Sequence, residues 1–526
     1  MFNSLIKKEM KKLISPIILF LIANISFAQG NFIKDSLDIY IKREMDRCRL
    51  PGLAIAIIKD GKVIHMKGYG YSDLEKKTPV TENTVFQIAS NSKAFTGTAV
   101  ALLEHYGKLK LDDKVRKYLD YFRMSEDWRT EQVTITDVLS HRIGFATFQS
   151  DFLNWNCNRS RKDLVANMVN VTPKYGFREK YGYCNIGFVT AGQIIQVISD
   201  TIWDDYLKHH FFIPLDMKNT STYSKEFLAN PNSSKAYSLV DNKVTEITPA
   251  NVDNLGPAGS ITSCVNDLSK WVIMQLANGK YNGKQVVPSM VIQRTRQSNT
   301  IVGDGNGKGS NFETYGLGWF LNDERGKKVV THDGGANGFL SKTVLVPEDN
   351  FGFVILTNSD AQYMFEGLGK QLLSDLTKQP YYNYSSFYDY GFKANYQKTE
   401  SDINDLKLKA KSFTPEAGAY KKLEGLFGNK VYGKILIEAK ENSAEVKFEY
   451  HPQYKATLKY LNANTLLLDY NDPVLGVHEI TFSEKGERPS IEIKVNGFVD
   501  YDTYLFTRLS ANVKTFETSG QKNIPR

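Results

Sequence analysis

The chain has 526 residues, 41% hydrophobic and 24% charged, the composition of a globular protein of two to four domains rather than a disordered or fibrous one. Its formal net charge is +8, and no Lys/Arg block stands out, so nucleic-acid binding is not indicated. Four cysteines in so long a chain make no disulfide framework, and their spacing does not suggest a metal site.

Residues 1–28 read as a cleavable secretory signal. Lys7, Lys8, Lys11 and Lys12 precede the mostly apolar run Leu13–Phe27, and Ser26-Phe27-Ala28 offers small residues for a peptidase. A membrane anchor is the alternative, but the run is short and holds Pro16 and Asn24. Removing four lysines and one glutamate leaves +5 of the +8. The expected product is exported, periplasmic or extracellular, with no stable membrane span.

Phe32–Cys48 carries Ile33, Leu37, Ile41 and Met45 at helical spacing. Leu53–Lys59 and Lys62–Tyr69 are β-rich runs joined by the hairpin signal Asp60-Gly61. Val85–Ser90 is apolar, and from Ala94 a helical pattern runs through Phe95, Thr98, Ala99, Leu102 and Leu103 to Gly107. Leu109–Tyr121 reads as a loop, Thr134–His141 as a capped short helix, and Phe177–Asn185 as irregular before a helix over Ile186–Ile198. Asp267–Leu276 is a further helix. Tyr315–Phe320, Val329–His332, Phe339–Val346 and Phe351–Leu356 read as consecutive strands, closed by a helix over Phe365–Leu376. Pro380–Ser412 lacks a period and reads as a linker or wrap-around segment. From Tyr420 the pattern becomes short alternating strands, with inward sets Ile435/Ile437/Ala439, Val446/Phe448/Tyr450, Leu466/Leu468/Tyr470, Ile480/Phe482 and Ile491/Ile493/Val495, the signature of a small β-barrel or sandwich.

The predicted fold is therefore α+β: an antiparallel sheet built from both ends of the first region, flanked by helices with an all-helical insertion, then a C-terminal all-β barrel. The expected division is a signal (1–28), a main domain (29–378), a linker (379–411), a barrel (412–510) and a disordered tail (511–526).

The chemistry centres on Ser90 and Lys93. This spacing puts a hydroxyl at a helix start and an amine one turn in, on the same face. A serine becomes nucleophilic when a neighbour takes its proton, and burial disfavours the charged lysine. Ser-x-x-Lys also occurs at Ser4/Lys7 and Ser519/Lys522, and Ser90 alone could be an N-cap. Tyr183 and Asn185 precede a helix; a phenol can carry a proton, and an amide can hold a substrate carbonyl and orient Lys93. His332-Asp333-Gly334-Gly335 ends a predicted strand, where glycines let backbone approach a ligand. Gly335 N–H could join Ser90 N–H in an oxyanion hole, and His332 could bind a carboxylate or carbonyl or move a proton. A structural histidine with structural glycines is the alternative.

Chain order narrows these readings. Pro51-Gly52-Leu53-Ala54, Phe86–Thr96, Leu139-Ser140-His141, Tyr183-x-Asn185, Pro214-Leu215-Asp216-Met217, Pro257-Ala258-Gly259, Tyr315-Gly316-Leu317-Gly318-Trp319 and His332-x-Gly334-Gly335 occur in the order found in one family. From about Leu53 to Asn358 the chain resembles the class C branch of the serine β-lactamases and penicillin-binding proteins. The resemblance implies Ser90 as acylated nucleophile, Lys93 and Tyr183 as the proton-transfer pair, with the first base undecided, and Asn185, His332, Gly334 and Gly335 at the substrate. Penicillin-hydrolysing members usually carry Lys-Thr-Gly where this chain has His332-Asp333-Gly334, a feature similar to peptidase and esterase relatives. Cys184 is expected to pack rather than react. The region from Leu423 resembles the small barrel appended to related exported hydrolases.

The expectation is an exported serine hydrolase forming an acyl-enzyme on an amide or ester, with D-amino-acid peptides or small esters ahead of β-lactams. It needs no cofactor or metal, and its partner is a small-molecule or cell-wall-derived peptide substrate. The alternative is a slowly deacylating or non-catalytic cell-wall-peptide sensor; a structural role for the barrel and the oligomeric state are left open.

Overall fold

The computed structural model describes residues 32–305, 310–511 and 515–516. The signal segment and most of the tail expected from the sequence lie outside these residues.

The chain enters through a π turn into α1 (Leu37–Cys48), whose buried Leu37, Tyr40, Ile41 and Met45 pack on the sheet. The hairpin β1 (Gly52–Lys59) and β2 (Lys62–Asp73) follows, with short β3 (Thr78–Pro79) at the edge. Helix α2 (Ser92–His105) is buried over most of its length. The helical part between holds α3 (Asp151–Asn154), α4 (Asn185–Ser199) and α5 (Val265–Leu276). The chain then returns to the sheet with β4 (Thr300–Gly303), β5 (Glu313–Tyr315), β6 (Phe320–Glu324), β7 (Lys327–Ala336), β8 (Phe339–Val346) and β9 (Phe351–Thr357). The nine strands order as β4-β5-β6-β7-β8-β9-β1-β2-β3. β1 thus pairs with β9, antiparallel with Leu53 opposite Thr357, which closes the sheet from both ends of the region.

β1, β8 and β9 are buried on both faces, because α1 and α6 (Met364–Leu376) cover one side and α2 and α5 the other. That explains their near-continuous apolar sequences, which lack period-2 alternation. Tyr315–Phe320 is not one strand. Gly316–Trp319 form the connection between β5 and β6. Gly318 has φ 84°, and a Cβ there would fall 2.2 Å from Lys93 O, so only glycine lets this turn sit against α2.

The segment expected to be a linker is α7 (Tyr384–Ser412), a helix of 29 residues. It packs along α6 and reaches the barrel. Ser385 and Asp389 are its buried residues, so no apolar stripe marks it. Eight strands then close a barrel in sequential order: β10 (Gly425–Asn429), β11 (Gly433–Ala439), β12 (Ala444–Phe448), β13 (Lys455–Tyr460), β14 (Thr465–Tyr470), β15 (Val477–Ser483), β16 (Ser490–Lys494) and β17 (Thr503–Ser510). Closure leaves no free sheet edge. The sequence sets mark β11, β12, β14, β15 and β16; all their members are buried except Ala439 and Tyr450, which are half-buried. β10, β13 and β17 carry no such mark.

Candidate active site

Ser90 lies in a 3-10 turn, Ala89–Asn91, that runs directly into α2. Ala89 has φ 46°, an unfavourable backbone for a residue with a Cβ. The turn is held from three sides. Ser92 Oγ donates to Ala89 O at 2.7 Å, Ser341 Oγ donates to Ile88 O at 2.7 Å, and Asn91 Nδ2 donates to Ser341 Oγ at 2.8 Å. The strained Ser90 turn is thereby locked to α2 and β8.

Lys93 is fully buried one turn on. Its Nζ donates to Ser90 Oγ at 2.9 Å, Asn185 Oδ1 at 2.7 Å and Ala258 O at 2.8 Å, so all three ammonium donors are used. Burial pushes its pKa down to about 7, against the nearby Asp151 charge, which favours the ammonium. A lysine poised there can release or accept a proton near neutral pH. The hydroxyls of Ser90 and Tyr183 share a hydrogen bond, and Lys93 Nζ sits 4.6 Å from the Tyr183 ring centre. Burial holds the Tyr183 phenol far above its ordinary range, offset in part by that hydrogen bond, so Tyr183 rests as the protonated phenol.

Two further residues set this pair. His141 stacks on Tyr183, ring centres 4.4 Å apart, and its Nδ1 accepts from Cys184 N–H at 2.9 Å. Burial, then the nearby Lys93 charge, keeps His141 neutral. Asn185 Nδ2 donates to Asp151 Oδ2 at 2.6 Å, which turns the Asn185 carbonyl toward Lys93. Asp151 was not singled out by the sequence; it belongs to no motif.

β6 pairs with β7 as far as Phe320 opposite Thr331, so among the described residues no strand covers that side of His332–Ala336. This edge faces the Ser90 turn. A Cβ on Gly334 would fall 2.1 Å from Ile88 O and 3.0 Å from Ser90 N, a gap that only glycine allows. Gly335 lines the cavity with Ser90. His332 lies alongside but has both ring nitrogens engaged: Nδ1 donates to Asp333 O at 2.6 Å, and Nε2 accepts from Tyr315 OH at 2.9 Å. Burial and the Lys93 charge lower its pKa to about 3. It therefore rests as a neutral imidazole whose two nitrogens are engaged within the protein. Asp333 pairs with Lys342 Nζ at 2.6 Å; burial opposes its ionisation, yet the Lys342 charge and the Lys342 and Glu366 hydrogen bonds keep it below its ordinary value.

The resulting cavity of about 700 Å³ is walled mainly by rings and aliphatic groups, among them Phe148, Trp155, Phe320 and Leu255. One wall comes from the barrel: Asn496, Gly497, Phe498, Val499 and Tyr501 follow β16. No arginine, and no lysine other than the buried Lys93, borders the pocket among the described residues. The barrel also grips α3. Asp500 accepts from Phe152 N–H at 3.1 Å, Tyr432 OH at 2.9 Å and Tyr504 OH at 2.8 Å. His451 stacks on Phe152 at 4.7 Å.

The Beta-lactamase family model matches residues 37–375. The chain belongs to the beta-lactamase family. Among relatives, Protein flp of Staphylococcus aureus (strain MW2) is 29% identical over 347 residues, 65% of this chain and 67% of that protein. Unguisins hydrolase ungD' of Aspergillus campestris is 26% identical over 348 residues, 64% of this chain and 63% of that protein. These alignments span about two thirds of each relative. The solved octameric penicillin-binding protein homologue from Pyrococcus abyssi shares the fold, with TM-score 0.58 and 21% identity over 89% of this chain and 99% of that one. The beta-lactamase family fold thus accounts for the sheet, the helical insertion and the Ser90 turn. Cys48, Cys157, Cys184 and Cys264 are all free thiols, and Cys184 is buried with its pKa raised to about 12 by burial, unsuited to nucleophilic attack. Among the described residues no cluster of His, Cys, Asp and Glu could hold a metal.

Proposed function

We propose that the protein is a serine hydrolase that forms an acyl-enzyme at Ser90 on an ester or amide. The observation carrying this reading is Lys93 Nζ at 2.9 Å from Ser90 Oγ, with the Tyr183 hydroxyl as the second partner of that oxygen. Lys93 in its neutral form takes the Ser90 proton, directly or through Tyr183, as Oγ bonds to the substrate carbonyl carbon. Ser90 N–H and the open β7 edge at Gly335 support the oxyanion. The proton passes to the leaving alcohol or amine as its bond to carbon breaks. Water then attacks the acyl carbon and gives a proton to the Lys93/Tyr183 pair, which passes it to Ser90 Oγ as the acyl C–O bond breaks, freeing the acid and Ser90.

A pocket rim without a free cation among the described residues favours substrates that lack a carboxylate beside the scissile bond, and so puts esters and amides ahead of β-lactams. The relative named Unguisins hydrolase is consistent with hydrolysis on this fold. Export is supported by the sequence pattern of residues 1–28 alone. A fluorophosphonate probe tests the reading. Wild type should label covalently, Ser90→Ala should not while keeping its melting curve, and a wild type that never labels sinks the acyl-enzyme. With a 4-nitrophenyl ester in place of the probe, loss of the Ser90 acyl adduct within minutes separates a hydrolase from a sensor that holds its adduct.

A further inference from the structure

We propose that Asp151 recognises a protonated amine on the acyl half of the substrate, so that the enzyme takes aminoacyl esters or amides whose free amino group neighbours the scissile carbonyl. The inference rests on the acyl-enzyme reading at Ser90.

The first support is place. Asp151 lines the same cavity as Ser90 and is joined to it by three successive hydrogen bonds: Asn185 Nδ2 to Asp151 Oδ2 at 2.6 Å, Lys93 Nζ to Asn185 Oδ1 at 2.7 Å, and Lys93 Nζ to Ser90 Oγ at 2.9 Å. Ser90 and the Asp151 carboxyl are thus presented to one ligand in one cavity.

The second support is charge. Asp151 has amide partners only; Asn154 Nδ2 is the other, at 3.3 Å. Among the described residues it forms no ion pair, although it is a nearly fully buried carboxyl. Asp333, the other acid on the cavity wall, already pairs with Lys342. Burial, reinforced by the Asp500 charge, raises the Asp151 pKa to about 7. A buried carboxyl without a counter-ion is costly, and a substrate ammonium supplies one. The surrounding Phe148, Trp155 and Val252 offer ring faces for the cation and apolar room for a side chain.

The third support is coupling to the base. The Asp151 charge favours the protonated form of Lys93. An ammonium docked on Asp151 cancels that charge and adds a cation nearby, so Lys93 sheds its proton. Substrate binding would then itself prepare the base that activates Ser90.

The test uses the full chain and a matched pair, alanine 4-nitroanilide and propionic acid 4-nitroanilide, in both alanine configurations at pH 7. The expected result is a kcat/KM favouring the aminoacyl member by about 30-fold or more, the scale of one buried charge pair. Asp151→Asn keeps the size and the Asn185 contact, and should bring the ratio close to one by losing the aminoacyl rate. Asp151→Glu keeps the charge and should retain a preference at lower rate. Equal losses on both substrates in Asp151→Asn would mean that Asp151 only orients Asn185, and would overturn the proposal. So would a wild type that labels at Ser90 yet shows no preference for the amine. A wild type that does not label fails the underlying reading instead, so the two failures are distinguishable.

Discussion

Lys93 carries a cost that its partners do not remove. Its folded pKa of about 7 lies below its ordinary value of 10.5. Between those values the unfolded chain binds a proton that the folded chain does not, so this residue makes stability rise with pH across that window. Below about pH 7 the penalty for burying the ammonium is fully present. Lys93→Met should therefore lower turnover by about 10²-fold to 10⁴-fold while raising the melting temperature at pH 6, checked by ester hydrolysis and calorimetry. In the wild type, the rate should climb with pH through about 7 as the amine becomes free, and a flat profile across pH 6–8 would refute Lys93 as base. Gly334→Ala should abolish Ser90 labelling, since its Cβ would meet Ile88 O at 2.1 Å and Ser341 Oγ at 2.5 Å; intact-mass spectrometry of the probe adduct reads this directly. His332→Gln should cost much less than the loss of a substrate ligand, because the imidazole already spends both nitrogens within the protein.

At the scale of elements, α3 is four residues long and makes little stabilising structure of its own. It holds its place because the barrel binds its backbone. Asp500→Ala would strand Phe152 N–H and two buried phenols, each costing roughly 1–3 kcal/mol. We expect a lower melting temperature and a fall in kcat/KM, read by calorimetry and ester hydrolysis, as α3 and Asp151 loosen from Asn185. The sequence announced the elements whose period survives packing: the Ser90 helix, the β1/β2 hairpin at Asp60-Gly61 and five barrel strands. It did not announce α7, whose buried contacts are Ser385 and Asp389 while Leu408 and Tyr390 face solvent. Nor did it separate β5 from β6, because Leu317 and Trp319 are as buried as strand residues although they lie in a turn. Ser90, Lys93, Tyr183 and Asn185 were legible through spacing and order. Asp151 and Asp500 were not, because the Asn185 partner of Asp151 and the Phe152 partner of Asp500 lie far off in sequence and no local pattern records them.

The whole molecule is two folded bodies sharing one cavity. The family match ends at residue 375, yet residues 496–499 and Tyr501 wall the pocket. A chain ended after Ser412 would expose the Phe152 face and open the cavity to water on that side. Such a truncation should keep at most weak Ser90 labelling and lose discrimination between bulky and small acyl groups; retention of full activity would reduce the barrel to an appendage. The four free thiols predict that reducing agents leave melting and labelling unchanged, which a thermal scan with and without dithiothreitol checks.

The position of that barrel wall also has a consequence in time. A ribosome delivers Ser90 early and Phe498 and Asp500 more than 400 residues later. Ser90, Lys93 and Tyr183 can meet as soon as the first body folds, before the barrel that walls their cavity exists. A chain released before the barrel is made would therefore carry the Ser90 turn with one side of its cavity unwalled, and the proposed acyl-enzyme chemistry is expected only once the barrel has docked.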